Sequence, residues 1–439
     1  MNLSRYTVVT EGAADETLLF NTATGAFAVV SGVGLDEVAD EIARAGFATD
    51  LAPHEELAAQ RAAFDAARDD PDELVLSLIP TYACNYRCPY CYEMGHDKPR
   101  GKMGHPVMNA IMGLIARVHG ESPLRRLSVQ WYGGDPSLAL DVVEELSGLL
   151  MGWCDDHQVA YDAMMLTNAN LIGDAEADLV ARCRISSALL TIDGPEQVHN
   201  QRRVAADGSN SYRTNIEAAR RLRARGVQVS AGMNVDRVTL PLYGGLRERL
   251  LREEGIDLAL NKLNDYGGTF GSGAFARPDF DLLTHEEFFE LQAAQLLDGD
   301  CDAAGLQALL APAPRFCNGQ RNRYFVIDLV GDVYDCDGWV GDRAYARFNV
   351  LDDPATWRMD DITFDATRDE ECGACELLPI CQGSCRWERL CCAASEGVMP
   401  CHPLKTTLPA YLRAWRDQVV GDGEGALPFR LVAEGNGRR

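Results

Sequence analysis

Three cysteines, Cys84, Cys88 and Cys91, fall within eight residues in the stretch TYACNYRCPYCYE. Thiolates spaced this closely in one loop are soft ligands suited to iron–sulfur clusters or zinc. Three are one short of the four that close a tetrahedral site. A structural zinc site is normally closed and its motif pairs two knuckles, so zinc here needs a distant fourth ligand such as His105. On a four-iron cluster, three protein ligands leave one iron open to a substrate or cofactor. A second group occupies the tail: Cys317, Cys336, Cys372, Cys375, Cys381, Cys385 and Cys401. A zinc ribbon uses four of these thiols and strands the remainder. The chain carries 15 cysteines in 439 residues. In a reducing compartment, where disulfides are disfavoured, such clusters point to metal or redox chemistry. Cys154 and Cys183 stand alone in amphipathic stretches and read as buried core residues.

The bulk composition narrows the function classes. A hydrophobic content of 46% with 24% charged residues is ordinary for a soluble globular protein, and the length allows two or three domains. No run of about 18 apolar residues appears, so no membrane span is expected. The opening MNLSRYTVVTEGAADETLLF has no apolar core followed by a small-residue cleavage site, which gives a cytoplasmic reading. The net charge is −25, from 66 acidic and 41 basic residues. Such a surface repels phosphate backbones, so no nucleic-acid partner is expected. It keeps the chain soluble, and it would attract a basic partner or peptide.

The elements that must position these cysteines follow from periodicity. Residues 1–72 read as a small α+β unit with short strands in YTVVT and TLLFNTATGAFAVVS and helices in GLDEVADEIARAG and HEELAAQRAAFDAARDD. From 73 to 268 six apolar runs (ELVLSLIP, LSVQWYGG, AMMLTNAN, SALLTIDG, VQVSAGMNV, IDLALNKLN) alternate with helical stretches. That alternation implies parallel strands with helical crossovers and chemistry at the C-terminal strand ends. A bridging segment follows over 269–316, then the cysteine-rich part over 317–410, then a final helix and tail over 411–439.

The Cys-x3-Cys-x2-Cys loop, with Tyr90 before its last cysteine, resembles the signature of the radical S-adenosylmethionine (SAM) enzymes. The resemblance implies an α/β fold, a partial (β/α)6 barrel, with a four-iron cluster on Cys84, Cys88 and Cys91 whose open iron is chelated by SAM. One electron then cleaves SAM to methionine and a 5′-deoxyadenosyl radical. WYGGDP looks like the family's Gly-Gly-Glu-Pro strand end, which would bring Gly133, Gly134 and Asp135 to the SAM amino group. LTIDGPEQVHNQRR resembles the fourth-strand segment of peptide-modifying members. By that match Thr191 and Arg202 hold the SAM carboxylate and Asp193 shapes the same end, with Asn168 and Asn234 near the ribose or adenine. The tail resembles the SPASM extension of radical SAM peptide maturases. Its pattern assigns Cys372, Cys375, Cys381 and Cys401 to one auxiliary four-iron cluster, and Cys317, Cys336 and Cys385 to another nearer the active site. The fourth ligand of the nearer one is Cys391, Cys392 or Cys301, or the position stays open to substrate. Asp337 matches the general base of sulfatase-maturing relatives, and a turn acidic residue is the plain alternative.

Three [4Fe–4S] clusters and SAM are thus the implied cofactors, and a reducing donor such as flavodoxin or ferredoxin is the implied electron source. Residues 1–72 fit an RRE-like winged-helix module that binds a leader peptide as an added strand. The function expected is a maturase that installs a thioether or carbon–carbon crosslink in a ribosomal precursor peptide. The alternative enzyme oxidises Cys or Ser to formylglycine in a sulfatase. An iron–sulfur electron carrier leaves the SAM-site residues unexplained, and an RNA-methylating relative is disfavoured by the charge.

Overall fold

The computed structural model describes residues 2–13, 15–91, 98–263, 280–297, 301–359, 365–389, 401–420 and 428–435. The chain opens with three antiparallel strands, β1 (Thr7–Glu11), β2 (Glu16–Asn21) and β3 (Ala26–Ser31). The tight β2–β3 turn ends on Gly25, whose φ of +78° only glycine adopts without strain. Helices α1 (Ala39–Arg44) and α2 (Pro53–Arg68) follow. Pro53 stands at the first turn of α2, where a missing N–H costs nothing, and the Glu55 carboxylate accepts from the Ala52 amide at 2.7 Å.

The centre of the molecule is a set of six strands: β4 (Glu73–Leu78), β5 (Arg126–Trp131), β6 (Ala160–Leu166), β7 (Ile185–Thr191), β8 (Gln228–Val235) and β9 (Asp257–Lys262). They lie side by side in chain order and all run parallel. These are the six apolar runs of the sequence. Helices α3 (His105–Glu121), α4 (Leu140–His157), α5 (Asp174–Arg182), α6 (Glu196–Arg202), α7 (Ser211–Arg223) and α8 (Tyr243–Glu254) make the crossovers. Helix α3 shows why: Ile111, Leu114, Ile115 and Val118 repeat on one face and bury against Leu74, Leu76 and Leu78 of β4. Burying each such side chain contributes about 1.5–3 kcal/mol. Cys154 and Cys183 are buried in the same core. Among the described residues no helix is long and apolar enough to cross a membrane.

Beyond β4 the sheet gains β10 (Tyr324–Ile327), parallel to β4, then β11 (Asp332–Tyr334) and β12 (Phe348–Asn349), both antiparallel. The order is β12-β11-β10-β4-β5-β6-β7-β8-β9. The cysteine-rich tail is thereby stitched into the core sheet. Between them lie α9 (His285–Gln295) and α10 (Ala303–Leu309), while the Gly-rich run before them falls largely outside the described residues.

The end of the chain returns to its beginning. A helix over Leu404–Val420 covers the first sheet, with Trp415 centred 4.8 Å from Phe27 and 6.4 Å from Phe20. The last strand, β13 (Phe429–Ala433), pairs antiparallel with β3. The first unit is therefore completed by the last, which the division at residues 72 and 411 does not show. Two local features hid this. Pro409 resembles a helix start, yet the helix runs through it from Leu404. Strand β13 is five residues long and mostly half-exposed, too weak a hydrophobic signal to announce a sheet. The strand edge offered by TLLFNTATGAFAVV is also taken: β2 is central, β13 covers β3, and β1 ends the sheet.

Candidate functional site

The cysteine loop leaves the C-terminal end of β4, and the end of β5 clamps its start. Gly134 N–H donates to Thr81 O at 3.2 Å and Asp135 N–H to Ala83 O at 2.9 Å. A Cβ on Gly134 would sit 2.4 Å from the carbonyl oxygens of Tyr82 and Ala83; one on Gly133, at φ +120°, would sit 2.6 Å from Thr81 O. The two glycines are thus required by backbone packed against backbone. Asp135 is buried and ties strand ends together. Its carboxylate accepts from Ser137 N–H (2.9 Å), Thr167 Oγ1 (2.9 Å) and Asn168 N–H (2.6 Å). Burial raises its pKa, and these donors oppose the rise. Asn168, just past β6, turns its side-chain amide to the loop, 2.8 Å from Asn85 Oδ1 and 3.7 Å from Cys84 Sγ.

The ends of β7 and β8 close the other side. Tyr90 donates its hydroxyl to Asp193 Oδ2 and receives Arg203 Nη1 at 3.1 Å. Asn234 donates its backbone N–H to Asp193 Oδ1 at 2.9 Å. Arg202 is buried, with Nη1 2.9 Å from Asp236 Oδ2 and Nη2 3.0 Å from Asn234 O. Its guanidinium lies over the rings of Tyr90 and Phe280. Thr191 ends β7, and its carbonyl accepts from Asn215 Nδ2 at 3.1 Å. Tyr90, Asp193, Arg202 and Asn234 therefore form one network against the cysteine loop. Arg203, which the sequence reading passed over for its neighbour, belongs to it and favours ionisation of the Cys84 and Cys88 thiols.

Burial pushes the Cys84 thiol up to about 11 and raises Cys88 too, and Cys91 adds to the rise at Cys84. Loading a metal here must displace protons. His105 is out of play: it opens α3 and pairs with Glu145 Oε1 at 2.9 Å. Among the described residues no three His, Cys, Asp or Glu side chains converge as a site for a single metal ion.

The tail thiols fall into two sets. Cys372, Cys375, Cys381 and Cys401 all line one cavity of about 320 Å³, together with Arg389, His402 and Lys405. Four soft donors around a cavity, rather than pinched on a point, suit a multi-iron cluster. Cys317, Cys336 and Cys385 form the other set, near enough that charge on Cys385 and Cys317 raises Cys336. Cys391 and Cys392 lie outside the described residues. Cys301 packs with the C-terminal helix instead.

Asp337 follows Cys336 and is half-buried on the sheet face opposite the helices. Ser77 Oγ of β4 donates to its Oδ1 at 2.7 Å and Tyr324 OH of β10 to its Oδ2 at 2.8 Å, and Gln130 of β5 stands close enough to oppose the rise in its pKa. Desolvation causes that rise. The sequence reading missed Ser77 and Gln130, although the polar residues inside ELVLSLIP (Ser77) and LSVQWYGG (Ser128, Gln130) were the available signal.

With this geometry in hand, residues 78–241 match the model of the radical SAM superfamily. A curated relative, the cysteine-type anaerobic sulfatase-maturating enzyme of Clostridium perfringens strain 13, is 23% identical over 69% of this chain and 86% of its own. A solved structure described as polyhistidine-tagged anSMEcpe with bound AdoMet superposes with a TM-score of 0.60 at 21% identity, covering 78% of this chain and 96% of that one. Another, native anSMEcpe with bound AdoMet and Cp18Cys peptide, gives 0.59 at 19% identity over 79% and 97%. The family model takes in the cysteine loop, the Gly-Gly-Asp-Pro strand end and the Tyr90–Asp193–Arg202 network: the chain carries a radical SAM domain and is an enzyme of that superfamily.

Proposed function

We propose that this enzyme matures a ribosomally made precursor peptide by taking a hydrogen atom from one of its side chains and installing a thioether or carbon–carbon crosslink. Cys84, Cys88 and Cys91 would hold a four-iron cluster, which together with bound SAM would supply the 5′-deoxyadenosyl radical. Reduced flavodoxin or ferredoxin is the electron source in this reading. Asp135 and Asn168 fix the loop that carries the thiols, and Tyr90, Asp193, Arg202 and Asn234 wall the space beside it. Asp337, held by Ser77 and Tyr324, takes a proton from the substrate. The tail cysteines would hold the auxiliary clusters that could accept the electron the substrate must lose to reach a closed-shell product.

The observation that carries the crosslink reading is the first unit, a four-stranded sheet added to the core and ending in the open strand β1. An extended leader can add to such an edge. Formylglycine formation in a sulfatase is the second reading, favoured by Asp337, held by Ser77 and Tyr324, and by the activity named for the Clostridium relative. Mass spectrometry separates the two after anaerobic turnover, with the product of any short reading frame found beside the gene and a sulfatase-derived Cys peptide as substrates. Loss of two hydrogens from the neighbouring peptide supports the crosslink. Formylglycine in the sulfatase peptide, with the neighbouring peptide untouched, overturns it.

A further inference from the structure

The two tail thiol sets are joined by one short stretch of chain. Cys385, of the set nearer Asp337, is followed by a turn whose Glu388 N–H points at Cys385 Sγ (3.4 Å) and whose Arg389 N–H donates to Cys385 O (3.0 Å). From the same turn the Arg389 guanidinium reaches the other set, 3.9 Å from Cys372 Sγ, and donates to Gly383 O at 3.2 Å. The Glu388 carboxylate faces His285 Nδ1 at 3.4 Å, an ion-pair distance without hydrogen-bond geometry. The other ring nitrogen of His285 lies 3.2 Å from the Cys401 carbonyl oxygen. His285 is 5% exposed and starts α9, in a segment to which neither the motifs nor the mechanism gives a task.

We propose that His285, Glu388 and Arg389 are positioning residues that brace the two auxiliary sites against each other and bias an electron toward the Cys372–Cys375–Cys381–Cys401 site. The bias follows from charge. Around the nearer set stand two carboxylates, Asp337 adjacent in the chain to Cys336 and Glu388 in the turn whose N–H faces Cys385 Sγ at 3.4 Å. Arg386 is close to Cys317 and is neutralised by Asp335 at 3.1 Å. At the farther set Arg389 is joined by Lys405, whose Nζ lies 4.0 Å from Cys401 Sγ. The anions there are Glu371, which lines the same cavity, and Asp369, whose carboxylate is turned to capping the Cys372 N–H at 2.9 Å. Cations beside cluster sulfurs favour the reduced, more negative state.

This rests on reading both thiol sets as cluster ligands, and it is independent of which peptide is modified. The test uses the anaerobically reconstituted full chain without substrate, with iron analysis and potentiometric electron paramagnetic resonance. Arg389→Gln should retain about twelve irons per chain, while the reduced-to-oxidised ratio of the farther cluster at a fixed potential falls about tenfold, or roughly 59 mV for one electron. Arg389→Lys should recover most of that ratio. His285→Ala should lower the iron to about eight per chain, and His285→Gln, which keeps a donor, should restore it. A wild-type ratio in Arg389→Gln, or full iron with unaltered spectra in His285→Ala, overturns the brace. Tail thiols that bind no cluster in the wild type overturn the reading beneath it instead.

Discussion

Asp337 and Asp328, two carboxyls on this face of the sheet, carry separate consequences at the level of single residues. Asp337 is held by two donors, Ser77 and Tyr324, and desolvation raises its pKa. Asp337→Asn should lower product formation about 10²- to 10⁴-fold, while deoxyadenosine release continues. Quantifying both products in one chromatographic run checks this, and an unchanged ratio of product to deoxyadenosine contradicts the base role. Asp328, at the end of β10, accepts from Tyr82 OH at 2.9 Å, and burial pushes it up to about 6 from 3.8. Its folded pKa lies above its unfolded value. Its contribution to stability is therefore full below 3.8 and lost as pH rises through about 6. Asp328→Asn should gain on the wild type between pH 5 and pH 8 by roughly 1.4 kcal/mol, about half of the full linkage, the rest being lost already below pH 5. Urea unfolding at the two pH values measures it, and a constant difference rejects the assignment. Residue roles were the least legible part of the sequence. Asn168 and Asn234 stand at strand ends as expected, yet their side chains engage Asn85, Cys84, Asp193 and Tyr90. Strand position places a polar group on a face, and tertiary packing chooses its partner.

At the level of elements, the six parallel strands and their helices were readable because each strand is a dense apolar run and each helix repeats its apolar face. The cysteine loop was readable because thiol spacing survives in one dimension. The clamp that holds it was not. WYGGDP announces glycine-dependent close approach, and what approaches is the loop backbone at residues 81–83. Gly134→Ala places a Cβ 2.4 Å from two carbonyl oxygens, so the loop must shift. Overpacking of this kind costs roughly 1–3 kcal/mol. The variant should lose iron at the first site while the tail sets stay loaded. Iron analysis with Mössbauer spectroscopy decides it; a full complement of iron would mean that the clamp is dispensable.

The largest gap between sequence and structure concerns the whole molecule, where the two ends of the chain build one unit. Pairing across some 400 residues leaves no local trace, since β13 is short and half-exposed and its helix hides behind Pro409. Trp415 is the main link, 3% exposed and packed on Phe20 and Phe27. Trp415→Ala should destabilise the first unit by about 3–5 kcal/mol. Hydrogen exchange should then rise in β1–β3 and stay low in β4–β9, and uniform protection in both would show that the ends are not coupled. The central claim, that Cys84, Cys88 and Cys91 leave one iron free for SAM, is tested most directly by their combined replacement with Ala. The wild type, reconstituted and reduced without oxygen, should release 5′-deoxyadenosine and bind about twelve irons. The triple variant should release none and keep about eight; continued SAM cleavage in that variant would contradict the claim outright.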